Sequence, residues 1–157
     1  PLPRWGEEIT AAIFGRIMDK TSAQNSDSKV AELKALQPSE PIASFLKMSL
    51  LELSPGYAKV TMKLSPEYQN FNGLVFGGIV MAIADQAFAY ASNSVTRSSV
   101  ATQFNIHFIA AANVNDELTA ECRVLKGGRR VGISEITVTN REGKLIAKST
   151  GTTIPIA

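Results

Sequence analysis

The chain has 157 residues, of which 45% are hydrophobic and 19% charged, so it fits one globular domain with a substantial core. With 16 Lys and Arg against 14 Asp and Glu, the net charge is +2, and no basic stripe could follow a phosphate backbone, which excludes nucleic acid as an expected partner. No apolar run approaches the roughly 18 residues that a membrane span needs, so we expect no membrane partner and a cytoplasmic location.

The N-terminal part of the chain predicts a helical extension. Apolar residues recur at helical spacing over residues 5–18, which indicates an amphipathic helix. Residues 21–28 are polar and Ser-rich and predict a loop, and residues 29–37 predict a short second helix that ends before a proline. We therefore divide the chain into an extension, residues 1–40, and a main domain, residues 41–157.

The main domain begins with a brief helical turn after Pro41 and then carries six β-like runs. The turn sequence Ser54-Pro55-Gly56 joins the first two runs into a hairpin. The six predicted strands cover residues 48–53, 57–64, 99–109, 117–125, 130–139 and 145–154. Because all of the connections between strands within each β region are short, we expect consecutive strands to be antiparallel neighbours.

One segment between the second and third strands differs from the rest. Residues 78–91 are rich in Ala, Ile and Met, lack Pro, and follow two glycines, which predicts a helix that is apolar nearly all round. Such a helix must be buried. The simplest architecture is an α+β fold in which an antiparallel sheet of about six strands wraps around one long central helix.

Asp85 is the candidate catalytic residue of this helix. Its neighbours one turn away are Met81, Ala82, Phe88 and Ala89, and none of these can offer it a charge or a hydrogen bond. Burying an unpaired carboxylate is costly or raises its pKa, so such a group is either satisfied from elsewhere or kept for function. A structural Asp held by backbone amides or by an Arg from a strand remains the alternative.

Gly77 and Gly78 stand where the helix is expected to begin. A helix start presents free N–H groups and a partial positive charge, which suit a carbonyl oxygen that becomes an oxyanion. The alternative is that two glycines permit a tight strand-to-helix turn. Gly78 and Asp85 are seven residues apart, roughly 10 Å along a helix. If both act on one bond, they must come from different chains, with the site at a dimer interface.

Other reactive residues offer little support for other chemistries. Cys122 falls in the apolar row of a strand and is read as a core residue, and His107 as an interface or surface strand residue. With one Cys and one His we expect no metal site, and neither a Ser nucleophile elbow nor a phosphate loop is present. Arg129 and Arg130, in a predicted turn, could meet the phosphates of a CoA nucleotide or could simply be solvated.

Residues 67–85 read EYQNFNGLVFGGIVMAIAD, and this stretch resembles the hotdog-fold thioesterases, in particular the phenylacetate-pathway (PaaI-like) type. Their pattern runs Asn, two residues, Gly, two residues, His-Gly-Gly, then an acid seven residues after the second Gly. The positions that match in register are Asn70, Gly73, Gly77, Gly78 and Asp85. The resemblance covers about residues 41–157 and implies a hotdog fold.

The resemblance also implies roles for single residues. Asp85 resembles the acid that acts as nucleophile or general base, and the Gly77 amide resembles the group that polarises the thioester carbonyl. Asn70 resembles the side chain that places the attacking water or the carbonyl. Thr102 could correspond to a hydroxyl found early in the following strand. The implied enzyme is a homodimer or homotetramer that hydrolyses an aromatic or medium-chain acyl-CoA, needs no cofactor, and takes each Asp from the partner chain.

Phe76 departs from this pattern, because the family usually has His before Gly-Gly. The change leaves open a non-catalytic acyl-CoA-binding or regulatory protein as the second hypothesis. Hydration or dehydration of an acyl thioester is a third, disfavoured because His107 lies far along the chain from Asp85. Residues 1–40 lie outside the resemblance, and we expect them to pack on the sheet or to shape the acyl pocket.

Overall fold

The computed structural model of the chain describes residues 25–95 and 98–156. The helix predicted over residues 5–18 lies outside them. The elements are α1 (including residues 25–36), a 3-10 turn Gln37–Ser39, α2 Pro41–Phe45, β1 Met48–Ser54, β2 Tyr57–Lys63, a 3-10 turn Pro66–Tyr68, α3 Gly77–Asn93, β3 Ser99–Phe108, β4 Glu117–Gly127, β5 Gly132–Asn140 and β6 Leu145–Pro155.

Helix α1 begins earlier than predicted. The expected loop over residues 21–28 is wrong for residues 25–28, which are helical. Within this turn the hydroxyl of Ser28 donates to the backbone carbonyl of Asn25 at 2.9 Å, so a polar side chain is satisfied inside the helix. The division of the chain at residue 40 stays a prediction.

The six strands form one antiparallel sheet in the order β1-β2-β4-β5-β6-β3. The expectation that consecutive strands are neighbours is wrong for β3 and β4, because β3 pairs with β6 at the edge of the sheet. Strands lie roughly 4.8 Å apart. The connection formed by residues 109–116 is long enough to cross over β5 and β6, which lie between β3 and β4 in the sheet. A short connection between β3 and β4 therefore does not make these two strands neighbours.

Helix α3 packs along one face of this sheet, and its buried residues are Val80, Ile83, Ala84, Gln86, Ala87, Phe88, Tyr90, Ala91 and Ser92. The ring of Phe88 lies against Gly151 of β6, where an added β-carbon would come 2.5 Å from Phe88 Cζ. A small residue at that strand position therefore lets the helix approach the sheet closely. These contacts confirm a hotdog arrangement of one long helix on a six-stranded sheet.

The expectation that α3 is buried all round is wrong for one side of the helix. Met81, Asp85 and Ala89 are exposed, and their spacing of four residues places them in one row. The sheet of a single chain covers one side of the helix and leaves this row uncovered. The candidate acid therefore lies on the open side of α3.

The two ends of α3 meet different parts of the sheet. At its N-terminal end, Gly77 lies against the ring of Phe108, the last residue of β3. Past its C-terminal end, the Ser94 hydroxyl accepts a hydrogen bond from the Gly56 N–H at 2.8 Å, and the Gly56 carbonyl accepts one from Val124 of β4. The helix start and the β4–β5 hairpin therefore lie at opposite ends of the domain.

Candidate active site

Asp85 has no hydrogen bond or ion pair with any residue in the part of the chain that the structure describes. Asp85 is exposed to solvent on the open side of α3, but it is partly desolvated there, and this partial desolvation raises the pKa of the carboxyl above its ordinary value of 3.8. The arginine or backbone amides of the structural alternative do not contact it within residues 25–95 and 98–156. A carboxylate of this kind is a stronger base than a fully solvated one.

The first amides of α3 form the second half of the candidate site. Phe76 is the N-cap residue, has an extended backbone and offers no side-chain cap. Its N–H donates to the Tyr68 carbonyl at 2.8 Å, and the Ile79 N–H donates to the Phe76 carbonyl at 2.9 Å. The N–H groups of Gly77 and Gly78 have no acceptor among the described residues. They remain available to a ligand oxygen.

Two aromatic rings frame this helix start. A β-carbon added at Gly77 would lie 3.2 Å from Phe108 Cζ, and one added at Gly78 would collide with the ring of Phe76. Phe76 is 56% exposed, and its ring lies directly against Gly78. Glycine at both positions keeps the amides accessible beneath these rings.

Asn70 organises the loop that leads into α3. Its Oδ1 accepts hydrogen bonds from the N–H groups of Asn72 at 2.9 Å and Leu74 at 3.2 Å. Because two amide donors point at this atom, it must be the oxygen, which leaves Nδ2 as the free donor of the side chain. Gly73 completes the loop with φ 74°, a left-handed conformation that favours glycine.

A cavity of about 260 Å³ brings Asn70 and Gly77 together at the start of α3. Its other lining residues are Leu74, Val75, Val80, Phe108, Ile109, Ala110, Ala111 and Ala112, all apolar. A cavity with apolar walls and a few polar groups at one end is typical of sites that orient a small ligand. Asp85 does not line this cavity.

Within one chain, the acid and the free amides stay apart. Gly78 and Asp85 belong to the same helix, and seven residues of helix span roughly 10 Å. The carboxyl of Asp85 lies on the open row of α3, whereas Gly77 faces the cavity beside Phe108. A single thioester carbon therefore cannot contact both groups of one chain.

Comparison with known proteins identifies the family. The sequence model of the Thioesterase superfamily matches residues 72–147 of this chain. A putative esterase of Archaeoglobus fulgidus is 34% identical over 72% of this chain and 73% of its own length. The acyl-coenzyme A thioesterase PaaI of Escherichia coli is 31% identical over 72% of this chain and 81% of its own length. This chain belongs to the thioesterase superfamily.

The solved structures agree with this assignment. The structure of the E. coli PaaI protein from the phenylacetic acid degradation operon superposes with a TM-score of 0.78 at 27% identity, and the match covers 86% of this chain and 96% of that one. The predicted PaaI-like hotdog fold is confirmed, and the protein is a thioester hydrolase. Among the described residues, no helix is long and apolar enough to cross a membrane.

Three further residues with predicted roles lie elsewhere in this thioesterase. Thr102 sits at a bulge of β3, is exposed, and donates through its hydroxyl to the Thr152 carbonyl at 3.3 Å. Arg129 and Arg130 are exposed in the turn between β4 and β5, at the end of the domain away from Gly77. One chain does not bring these three residues to the helix start.

Glu40, at the junction of α1 and α2, is a residue that sequence reasoning missed in this thioesterase. Its Oε2 accepts a hydrogen bond from Gln86 Nε2 at 2.7 Å and another from the Tyr90 hydroxyl at 2.6 Å. The sequence signal was Gln86, a strongly polar side chain in an apolar helix, whose partner lies 46 residues earlier in the chain.

Proposed function

We propose that this thioesterase hydrolyses the thioester of an aromatic or medium-chain acyl-CoA to the free acid and CoA. The unpaired carboxyl of Asp85, with its raised pKa, is the observation that carries this proposal. The name of the E. coli relative, an acyl-coenzyme A thioesterase, supports the substrate class. The absence of a metal or redox cofactor and the cytoplasmic location stay predictions.

The proposed reaction needs two chains. The substrate carbonyl oxygen accepts hydrogen bonds from the free amides of Gly77 and Gly78, which stabilise negative charge at a helix start. Asp85 of the facing chain supplies the carboxylate, because Asp85 of the same chain lies about 10 Å along the helix. The exposed row of α3 and the open edge of β3 are the surfaces that such a partner would cover.

Two mechanisms fit this arrangement. As a general base, Asp85 takes a proton from water while the water oxygen attacks the carbonyl carbon; the C–S bond then breaks, and the CoA thiolate is protonated. As a nucleophile, Asp85 displaces the thiolate to form an anhydride, which water cleaves. In either case we expect Asn70 Nδ2 to donate to the carbonyl or the water, which is supported by the position of Asn70 in the same cavity as Gly77.

The test is thiol release across a panel of phenylacetyl, benzoyl, hexanoyl and decanoyl-CoA. We expect Asp85→Asn to reduce kcat by about 100-fold or more, since general base catalysis contributes roughly that factor. Asp27→Asn changes an exposed carboxylate on α1 in the same way and serves as the matched control. A loss of less than about 10-fold in Asp85→Asn would remove Asp85 from the central role.

Phe76 favours a second candidate function, acyl-CoA binding without hydrolysis. Phe76 stands where the PaaI-like pattern has His, and its ring lies against Gly78. A ring in this position would narrow the access of a substrate to the amides of Gly77 and Gly78. Calorimetric binding of the same acyl-CoA panel, measured beside thiol release, separates the two functions. Tight binding without thiol release would favour the second.

A further inference from the structure

A second cavity, of about 340 Å³, lies between the N-terminal extension and α3. Its lining residues are Leu33, Leu36, Ser39 and Glu40 from the extension and Gln86, Ala89, Tyr90 and Asn93 from α3. This volume is at the lower end of the roughly 300–1,000 Å³ that small-molecule sites occupy. The extension therefore builds one wall of a ligand-sized space.

Three polar groups converge inside this cavity. Gln86 and Tyr90 are buried, at 7% and 6% exposed, and both donate to Oε2 of Glu40. Burial, reinforced by the hydrogen bond to Glu40, raises the pKa of Tyr90, so its hydroxyl stays protonated as the donor. Glu40 is thus the acceptor of the group, held in one position by two buried donors.

No Lys or Arg side chain in the described part of the chain pairs with the carboxylate of Glu40. None of the ion pairs in residues 25–95 and 98–156 involves Glu40, and its second oxygen, Oε1, accepts no hydrogen bond from these residues. Glu40 is the only charged residue among those that line the cavity, and it leaves one acceptor oxygen unused. Such a charge repels an anion and accepts a hydrogen bond from a neutral donor.

The cavity continues the row of α3 that carries the acid. Ala89, one of its lining residues, follows Asp85 by one helical turn, a rise of roughly 6 Å, and both residues are exposed on the same side. An acyl group whose thioester carbon lies at Asp85 can extend along this row into the cavity. The distance corresponds to a few carbon–carbon bonds.

We propose that this cavity receives the distal end of the acyl group, and that Glu40 is a specificity-determining residue that admits uncharged acyl groups and rejects those ending in a carboxylate. This inference rests on the proposed acyl-CoA hydrolysis. It gives the N-terminal extension a defined part in substrate selection.

The test uses pairs of equal chain length: hexanoyl with adipyl-CoA, octanoyl with suberyl-CoA, and decanoyl with sebacyl-CoA. The wild type should prefer the neutral member in kcat/KM by at least about 10-fold once the chain reaches Glu40. Glu40→Gln keeps an acceptor oxygen for Gln86 and Tyr90 but removes the charge. We expect it to reduce the preference by about 10-fold, mainly through KM for the carboxylated member.

Glu32→Gln is the matched control, because Glu32 is an exposed carboxylate of α1 outside the cavity, and it should keep the wild-type preference. Ala89→Leu tests the path independently. It should lower kcat/KM for decanoyl-CoA by about 10-fold, since the larger side chain occupies part of the cavity. The kcat/KM for acetyl-CoA should change little, because an acetyl group is too short to reach the cavity.

An unchanged preference in Glu40→Gln, or an equal change in Glu32→Gln, would overturn the inference while leaving the proposed hydrolysis intact. Absence of thiol release from every neutral acyl-CoA would instead overturn the proposed hydrolysis. In that case, calorimetric affinities of decanoyl-CoA and sebacyl-CoA for wild type and Glu40→Gln give the same comparison. Equal ratios in the two proteins would reject the role of Glu40.

Discussion

The ring of Phe108 closes over Gly77, so that a β-carbon added at Gly77 would lie 3.2 Å from Phe108 Cζ. This contact joins the end of the edge strand β3 to the start of the central helix. It also confines the space above the free N–H groups of Gly77 and Gly78, where the thioester carbonyl is proposed to bind.

Gly77→Ala should therefore impair catalysis more than folding. Alanine favours a helix over glycine by up to about 1 kcal/mol, which offsets the small displacement of the Phe108 ring. We expect a melting temperature near that of the wild type and a fall in kcat/KM of about 10-fold or more, because the methyl group narrows the approach to the amides. Thermal unfolding and thiol release measured on one preparation check both points. Unchanged kcat/KM would separate Gly77 from the carbonyl site.

Shared active sites predict complementation between two inactive variants. A chain with Asp85→Asn keeps its amides, and a chain with Gly77→Val keeps its acid, so a dimer of the two contains one complete site. Random pairing at equal concentrations should restore about one quarter of wild-type activity. If the two variants carry different tags, are expressed together and are purified through both tags, the resulting heterodimer should have about half of the wild-type activity. Activity no higher than that of the separate variants would place the whole site within one chain.

The raised pKa of Asp85 predicts a dependence of activity on pH. Either mechanism needs the carboxylate, so kcat/KM should fall on the acid side with a midpoint above 3.8, the ordinary value for Asp. The residual activity of Asp85→Asn should lack this acid limb. A midpoint at or below 3.8 in the wild type would contradict a partly desolvated Asp85 as the reacting group.

The same pKa predicts an effect on stability. A raised pKa means that the folded chain holds the proton more tightly than the unfolded chain, so stability is lost as pH rises from 3.8 through the folded value. Asp85→Asn should therefore be more stable than the wild type at neutral pH, and this advantage should shrink as the pH falls toward 3.8. Urea unfolding of both proteins at several pH values measures this difference in stability. A lower stability of Asp85→Asn at neutral pH would indicate that the carboxylate makes a stabilising contact.

Local patterns in the sequence were sufficient for most elements of the fold. Helix α3 was predicted over residues 78–91 and spans Gly77–Asn93, and Gly56, with φ 75°, forms the first hairpin turn as its turn sequence indicated. These features depend on residues close together in the chain. The spacing that placed Gly77 and Asp85 on one helix also followed from the sequence alone.

Features that depend on distant parts of the chain were not predicted. The pairing of β3 with β6 joins Ser99 to Pro155, and periodicity within a strand says nothing about its partner. The exposure of the row containing Asp85 arises because one sheet covers one side of the helix. Glu40 gave no sign of its role, since a lone acid before a proline is equally typical of a solvated turn.

Glu40 should also contribute to stability, because it is the acceptor for two buried donors. Glu40→Ala leaves Gln86 Nε2 and the Tyr90 hydroxyl without that partner, and an unsatisfied buried polar group costs about 1–3 kcal/mol. We expect the free energy of unfolding to fall by roughly that amount, whereas Glu40→Gln should stay near the wild type since it retains an acceptor. Chemical denaturation gives both values, with Glu32→Ala as the exposed control on α1. Equal stabilities of Glu40→Ala and Glu32→Ala would show that solvent replaces Glu40 at no cost, and the extension would then be held to α3 by its apolar contacts.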